Sequence, residues 1–271
     1  MIVIDCHCHA GKGDGLTGPW DTDAPLDAYL ARARQAGIAR TVVFPAFCSD
    51  YGAANERLAA LIAAQPERLW GFVMLHPVRD AGRVGALVQR AVTRHGFRGI
   101  KVHKRDAALT REVCEVSRRW RIPVLYDIGG DVGGMELLAS EYPDVAFIVP
   151  HLGSFDDDWR AQLGVIDLLC RYPNVHADSS GVRRFDLLVQ AVQRAGPHKL
   201  LFGSDGPWLH PGLELAKIRA LNLPLAAQCL VEGGNLLRLF RRRGAHSDIG
   251  TDHDADARNG LRAGWRHRGV S

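Results

Sequence analysis

The sequence lacks long hydrophobic runs and paired cysteines. Its first apolar segment covers only residues 1–4, whereas a leader peptide or a membrane span needs a longer run. The six cysteines include no CxxC pair, and several lie within apolar runs, where a thiol packs as a small hydrophobic group. We therefore expect reduced thiols, a cytoplasmic location and no association with membranes.

An excess of one charge sign is also missing. The formal net charge is +4 over 271 residues, and basic residues run together only in the arginines at 241–243. A nucleic-acid surface needs a denser stripe of cations than this. The charge distribution therefore predicts no nucleic-acid partner.

Apolar residues are almost absent from the C-terminal segment 244–271, which is rich in Asp, His, Arg and Gly. Such a segment cannot bury enough apolar surface to order itself. We predict a disordered polar tail there, after a single domain that covers residues 1–243. The alternative is an interaction protein whose basic tail binds an acidic partner, but aspartates at 248, 252, 254 and 256 dilute the tail's positive charge.

Short apolar runs do recur, and they alternate with segments of helical periodicity. Eight candidate strands are predicted at residues 2–5, 41–44, 71–75, 99–102, 124–126, 146–149, 175–177 and 200–202. Between them apolar residues repeat at helical spacing, as at 84–92, before a C-cap at Gly96. Apolar strands joined by helices belong in a parallel sheet, and eight such units predict an α/β fold with one (β/α)8 barrel. A doubly wound open sheet is the structural alternative.

Polar residues cluster at the carboxyl ends of the predicted strands. They are His7 and His9 after the first strand, Lys101 and His103 on the fourth, Asp127 on the fifth, His151 after the sixth and Asp205 after the eighth. In a barrel these ends converge on the catalytic face. Alternation along the first strand places both histidines on one side, where they can share a cation, and turns the cysteines between and before them toward the helices.

The HxH pair by itself is a weak signal, because two solvated or core histidines are the commoner explanation. Its distant partners strengthen it. His151 and Asp205 each follow an apolar strand, where a charge is costly without a cation or an ionic partner. Together these residues favour a metal site.

Several motifs in this order resemble the amidohydrolase-related family, which includes aminocarboxymuconate semialdehyde decarboxylase. They lie at residues 5–9 (DCHCH), 99–103 (GIKVH), 150–153 (PHLG), 202–205 (FGSD) and 234–240 (GNLLRLF). The resemblance implies a distorted TIM barrel. It also implies one divalent metal ion, usually zinc with manganese or iron as alternatives, held by His7, His9 and Asp205. In this resemblance His151 corresponds to the residue that assists proton transfer. The resemblance also implies a homodimer.

The fifth strand departs from the family pattern, which ends Pro-x-x-x-His, because this chain ends it with Asp127. The carboxylate can bind the metal directly or orient a histidine, and we count it as a predicted ligand. Lys101 occupies the place where relatives with two metals carry a carbamylated lysine. Pairing with Asp127 or with a substrate carboxylate is the simpler interpretation, so one metal ion is predicted.

Basic and aromatic residues surround the predicted mouth of the barrel, and they indicate a small anionic or flat substrate. Each of them alone is more often a solvated surface residue. The predicted substrate contacts are Lys101, His103, Trp20, Trp208 and Arg183.

These residues predict a metal-dependent hydrolase in which an activated water attacks an amide, ester or lactone carbonyl and His151 or Asp205 takes the proton. The same proton relay fits non-oxidative decarboxylation of an aromatic or unsaturated acid. A metal-binding or ligand-binding barrel without turnover is a third alternative, which the altered fifth strand keeps open.

Overall fold

The apolar runs form strands, and the segments between them form helices, in a computed structural model that describes residues 2–15 and 23–241. The strands are β1 (Ile4–Lys12), β2 (Asp23–Ala24), β3 (Arg40–Pro45), β4 (Leu69–Met74), β5 (Gly99–His103), β6 (Val124–Asp127), β7 (Phe147–Val149), β8 (Val175–Asp178) and β9 (Leu200–Leu201). The predicted tail at 244–271 lies outside the described residues, and so does Trp20.

Helices follow the strands almost one for one. They are α1 (Leu26–Gln35), α2 (Tyr51–Ala64), α3 (Val84–His95), α4 (Arg111–Trp120), α5 (Val132–Glu141), α6 (Trp159–Arg171), α7 (Phe185–Ala195), α8 (Pro211–Arg219), α9 (Leu225–Cys229) and α10 (Asn235–Arg241). The predicted C-cap is confirmed, because Gly96 ends α3 with a left-handed backbone of φ 68°. In the part of the chain that the structure describes, no helix is long and apolar enough to cross a membrane.

The sheet closes into a barrel. Its strand order is β2-β1-β3-β4-β5-β6-β7-β8-β9, and every pairing except the antiparallel β1–β2 contact is parallel. Past β9 the chain returns to β1, where the N–H of Cys6 donates to Phe202 O over 3.0 Å and Cys8 forms a parallel bridge with Gly206. The predicted (β/α)8 TIM barrel is confirmed, with β2 as an extra short strand.

The first strand is longer than predicted. The apolar run suggested residues 2–5, but β1 extends to Lys12, and its last two residues pair with Asp23 and Ala24. His7 and His9 therefore lie within the strand and not after it. Apolar periodicity underestimates this strand because its buried central residues are polar.

A bulge changes which side chains of β1 face inward. The register between β1 and β3 shifts between Asp5 and Cys8. As a result Cys6 packs in the barrel interior, whereas Cys8 packs in the layer between sheet and helices. The expectation that both cysteines face the helices is wrong for Cys6, because a bulge adds a residue to the alternation. His7 and His9 still line the same cavity.

Two apolar layers support this geometry. One lies between the sheet and the helices. The other fills the barrel interior with Ile4, Cys6, Val42, Phe44, Phe72, Leu125, Ala146, Ile148 and Leu201, together with Leu236 and Leu239 of α10. The interior layer forms the apolar floor of the barrel, below the polar residues of the cavity.

The floor leaves no room for a side chain at Gly99. A β-carbon there would lie 2.5 Å from Cζ of Phe72, so we expect Gly99→Ala to reduce the free energy of unfolding by about 1–3 kcal/mol through overpacking. Urea denaturation checks this. Gly85→Ala is the control, because its β-carbon would meet only Val116 at 4.0 Å. Equal stability of the two variants would contradict the tight packing.

Candidate active site

The carboxyl ends of the barrel strands surround a cavity of about 550 Å³. Polar residues predicted from the sequence line it together: His7, His9, Lys101, His103, Asp127, His151 and Asp205. All of them except His103 are buried. The barrel thus brings residues that are far apart in the sequence into one site.

His7 is fully buried and lies between two carboxylates. Its Nδ1 lies 2.9 Å from Oδ2 of Asp178, to which it donates. Its Nε2 lies 3.2 Å from Oδ1 of Asp205 but out of line for a hydrogen bond, so this nitrogen has no hydrogen-bond partner. A buried polar atom in this state is rare and points to a missing partner.

His9 approaches the same carboxylate from a second side. Its Nδ1 donates to Pro45 O over 3.2 Å, and its Nε2 lies 3.7 Å from Oδ1 of Asp205. The Nε2 atoms of both histidines of β1 therefore face one oxygen. This arrangement leaves their lone pairs directed at a common region, as ligands of a single cation require.

The electrostatics of this cluster are strongly coupled. Burial and the Lys101 ammonium lower the pKa of His7, but Asp178 and Asp205 outweigh them and raise it to about 9. Burial raises the pKa of Asp205, yet the nearby histidines lower it to about 2. Burial lowers the pKa of His9 well below its ordinary value. The Asp205 carboxylate is therefore ionised at neutral pH, and it attracts either a proton or a cation to Nε2 of His7.

Sequence reasoning misses Asp178, although its signal was available because it directly follows the predicted strand 175–177. Its Oδ2 accepts from His7, while its Oδ1 accepts from the N–H of His151 at 3.2 Å and the N–H of Ser180 at 2.9 Å. The Ser180 hydroxyl also donates to Oδ1 over 2.5 Å. One buried carboxylate therefore holds both His7 and the turn that carries His151.

His151 lies just after β7 with a left-handed backbone of φ 57°. Its Nδ1 lies 2.9 Å from Ser180 O, and this nitrogen must carry a proton because a carbonyl oxygen only accepts. In the neutral ring the lone pair is therefore on Nε2, which lies 3.6 Å from Oδ2 of Asp127. His151 is oriented as a base toward the cavity.

Asp127 contacts two histidines at the edge of the cluster. Its Oδ2 lies 3.0 Å from Nε2 of His103, and its Oδ1 accepts from Gly129 N at 3.0 Å. Burial raises its pKa, but the His103 contact lowers it well below its usual range. Among the described residues, one group of three ligand atoms lies within 4.8 Å of one another, and these atoms belong to His7, His151 and Asp205.

Aromatic side chains pack against the histidines and line the cavity. The Trp208 and Phe47 rings lie 4.5 Å and 5.4 Å from the His9 ring, between centroids, and the Phe155 ring lies 5.0 Å from that of His151. The sequence analysis named Trp208 as a predicted substrate contact, and its side chain lines the cavity. It did not indicate Phe47 or Phe155, because a lone phenylalanine in a loop has no distinguishing pattern.

Two basic residues near the mouth, Arg183 and Lys104, have acidic partners. The Nε of Arg183 lies 2.6 Å from Oδ2 of Asp157, and Arg183 does not line the cavity. Lys104 lines it but forms an ion pair with Asp131. The anionic character inferred for the substrate therefore gains no support from these side chains.

A closed barrel with histidines and carboxylates at the carboxyl ends of its strands is the arrangement of a TIM-barrel enzyme. The sequence model of the amidohydrolase family matches residues 4–242, and the chain belongs to that family. This confirms the resemblance drawn from the motifs. No curated protein matches the chain.

Solved structures share this fold at low sequence identity. The 5-carboxyvanillate decarboxylase of Sphingomonas paucimobilis superposes with a TM-score of 0.70 at 16% identity, covering 89% of this chain and 99% of that one. A Polaromonas dihydroxybenzoic acid decarboxylase with bound manganese and 2-nitroresorcinol gives 0.67 at 18% identity, covering 89% and 97%. A zinc-bound Burkholderia multivorans amidohydrolase gives 0.71 at 15%, covering 89% and 99%.

Proposed function

We propose that this protein is a metal-dependent hydrolase that acts on an amide, ester or lactone carbonyl of a small anionic or aromatic substrate. The observation that supports it most directly is the buried Nε2 of His7, which lacks a hydrogen-bond partner beside the ionised Asp205. A divalent cation would bind both the nitrogen and the carboxylate. In this proposal His7, His9 and Asp205 hold the ion.

The charges of the site fit such an ion. Three buried carboxylates, those of Asp127, Asp178 and Asp205, contact the histidines. The buried ammonium of Lys101 opposes them. These four groups leave a formal charge of −2, which one divalent cation neutralises. The imidazole and carboxylate donors suit zinc, manganese or iron(II).

When bound, a divalent cation supplies Lewis acidity, which polarises a carbonyl and lowers the pKa of a water molecule. Residues of the chain then accept the proton that the water molecule releases. His151 accepts it at Nε2, because Ser180 O holds the proton of Nδ1 in place. Asp205 can share this role, because one of its oxygens lies within 4.8 Å of a ring nitrogen of His151. Asp127 orients His103 through their 3.0 Å contact. Its carboxylate can also bind the metal ion directly.

The remaining predicted contacts concern the substrate. His103 and Trp208 line the cavity beside the histidines, and we propose that they pack against the reacting molecule. The aromatic side chains also exclude water from the site, which strengthens its electrostatic interactions.

Decarboxylation of an aromatic acid is the second candidate function. Two structures that share the fold belong to decarboxylases of aromatic acids, and a base at Nε2 of His151 that has taken a proton can return it to carbon. Product analysis distinguishes the two reactions. Release of carbon dioxide from aromatic acids favours decarboxylation, and release of a new carboxylic acid from lactones, esters or amides favours hydrolysis.

Metal content tests the proposal. We expect about one equivalent of a transition metal per chain, by elemental mass spectrometry on protein without a histidine tag, and its loss in a His7→Ala/His9→Ala variant. His95→Ala is the control, because this histidine pairs with Glu56 on the outside of the barrel. Folded wild-type protein that takes up no metal after growth in supplemented medium would rule out the metal-dependent reaction.

A further inference from the structure

Lys101 is a buried cation whose partner is missing. It lies on β5, is fully buried and lines the cavity. Its Nζ forms no hydrogen bond. Because burying an ammonium without a partner is costly, a protein keeps one where a ligand supplies the partner.

The carboxylates near Lys101 have other partners. Asp127 pairs with His103 at 3.0 Å, and Asp178 pairs with His7 at 2.9 Å. Asp205 lies 3.2 Å from Nε2 of His7. These three groups attract the ammonium through space, but none of them accepts a hydrogen bond from it.

The floor below Lys101 offers a cation–π contact but no hydrogen-bond acceptor. Its Nζ lies 4.9 Å from the centroid of the Phe44 ring. Two residues earlier on the same strand, Gly99 is covered by the Phe72 ring. An oxygen that completes the ammonium must therefore come from the cavity side.

We propose that Lys101 binds the carboxylate of a monoanionic aromatic substrate at the floor of the cavity, and that it selects acids over neutral molecules of the same shape. A single anion fits because Lys101 is the fully buried cation of this cavity, whereas Lys104 at the mouth is already paired with Asp131 and Arg105 lies over the Phe47 ring, 5.8 Å from its centroid. An aromatic ring fits because Phe47, Phe155 and Trp208 line the walls. The inference rests on the proposed function for the site, but it concerns binding and not turnover.

Equilibrium binding of two isosteric probes tests this selection. Calorimetric titration of the metal-loaded protein is expected to show benzoate binding at least about tenfold more tightly than benzamide, since a buried charge-assisted hydrogen bond is worth that much. In Lys101→Met the preference should fall to within about threefold through weaker benzoate binding, while benzamide binding stays unchanged. Lys101→Arg keeps the charge and should retain most of the preference.

Lys104→Met is the matched control, because it removes a paired cation of the same cavity, and its preference should equal that of the wild type. Equal affinity of the wild type for the two probes overturns the proposal, and so does an undiminished preference in folded Lys101→Met. If Lys101→Met does not fold, Lys101→Gln replaces it as the variant that removes the charge. Inactivity toward every substrate would contradict the proposed function, yet it would leave these binding results intact.

Discussion

Replacing His151 with asparagine is expected to lower turnover at least about a hundredfold, the usual contribution of a general acid or base. The asparagine amide can occupy the position of Nδ1 and keep the hydrogen bond to Ser180 O. The fold of the turn is thereby preserved. What disappears is the lone pair on Nε2, which faces the cavity and takes the proton in either proposed reaction.

Steady-state kinetics on the best substrate from a screen of lactones, amides and aromatic acids measures this effect. Metal content is measured on the same preparation and is expected to match the wild type. The control is His95→Asn, which changes a histidine paired with Glu56 away from the cavity. Loss of the metal in His151→Asn would make His151 a ligand and not a base, and undiminished turnover would remove it from the reaction.

The second large effect is expected from Asp178→Asn, which should weaken metal binding about 10-fold to 100-fold, as changes behind a ligating histidine commonly do. The direction follows from proton positions. Three donors converge on Oδ1 of Asp178, namely the N–H groups of His151 and Ser180 and the Ser180 hydroxyl. The oxygen of the new amide must stay there to accept them.

The NH₂ group of the asparagine then faces Nδ1 of His7, at the position of the present Oδ2. Nδ1 must accept a hydrogen bond, so the ring proton moves to Nε2 and occupies the lone pair that binds the cation. The variant keeps the shape of the site, but it holds His7 in the tautomer with the proton on Nε2, which cannot bind the cation. A similar loss is expected in turnover at limiting metal.

Competition with a chelating indicator measures the metal affinity of both proteins. Asp131→Asn serves as the control, because Asp131 caps α5 and pairs with Lys104 at the mouth, away from His7. Its affinity should equal that of the wild type. An Asp178→Asn protein that binds metal within about twofold of the wild type would show that the tautomer of His7 does not limit binding.

The barrel was predictable from the sequence because its signals are local. Eight apolar runs bounded by helical segments identify the parallel strands, and turn residues such as Gly96 end the helices. The failure at β1 has a physical cause. The rule that recognises strands by apolar side chains stops at Asp5, although the strand continues through the buried His7 and His9 and ends at Lys12.

The candidate site was predictable where a polar residue follows an apolar strand, which is how His7, His9, His151 and Asp205 were found. The same rule applied to strand 175–177 would have found Asp178. No rule of this kind could have excluded Arg183, because a surface arginine and a cavity arginine look alike in a sequence. Its ion pair with Asp157 depends on how two loops meet.

The sequence by itself determined the fold class, the family and the polar residues at the strand ends that line the cavity, because periodicity and strand-end position are properties of neighbouring residues. Only the tertiary structure decided their chemical states. Contacts between distant residues hold the proton on Nδ1 of His7 and His151 and pair Lys104 with Asp131. They also leave the Nζ of Lys101 without a hydrogen-bond partner. Such states depend on distances and burial between distant residues, and no local pattern encodes them.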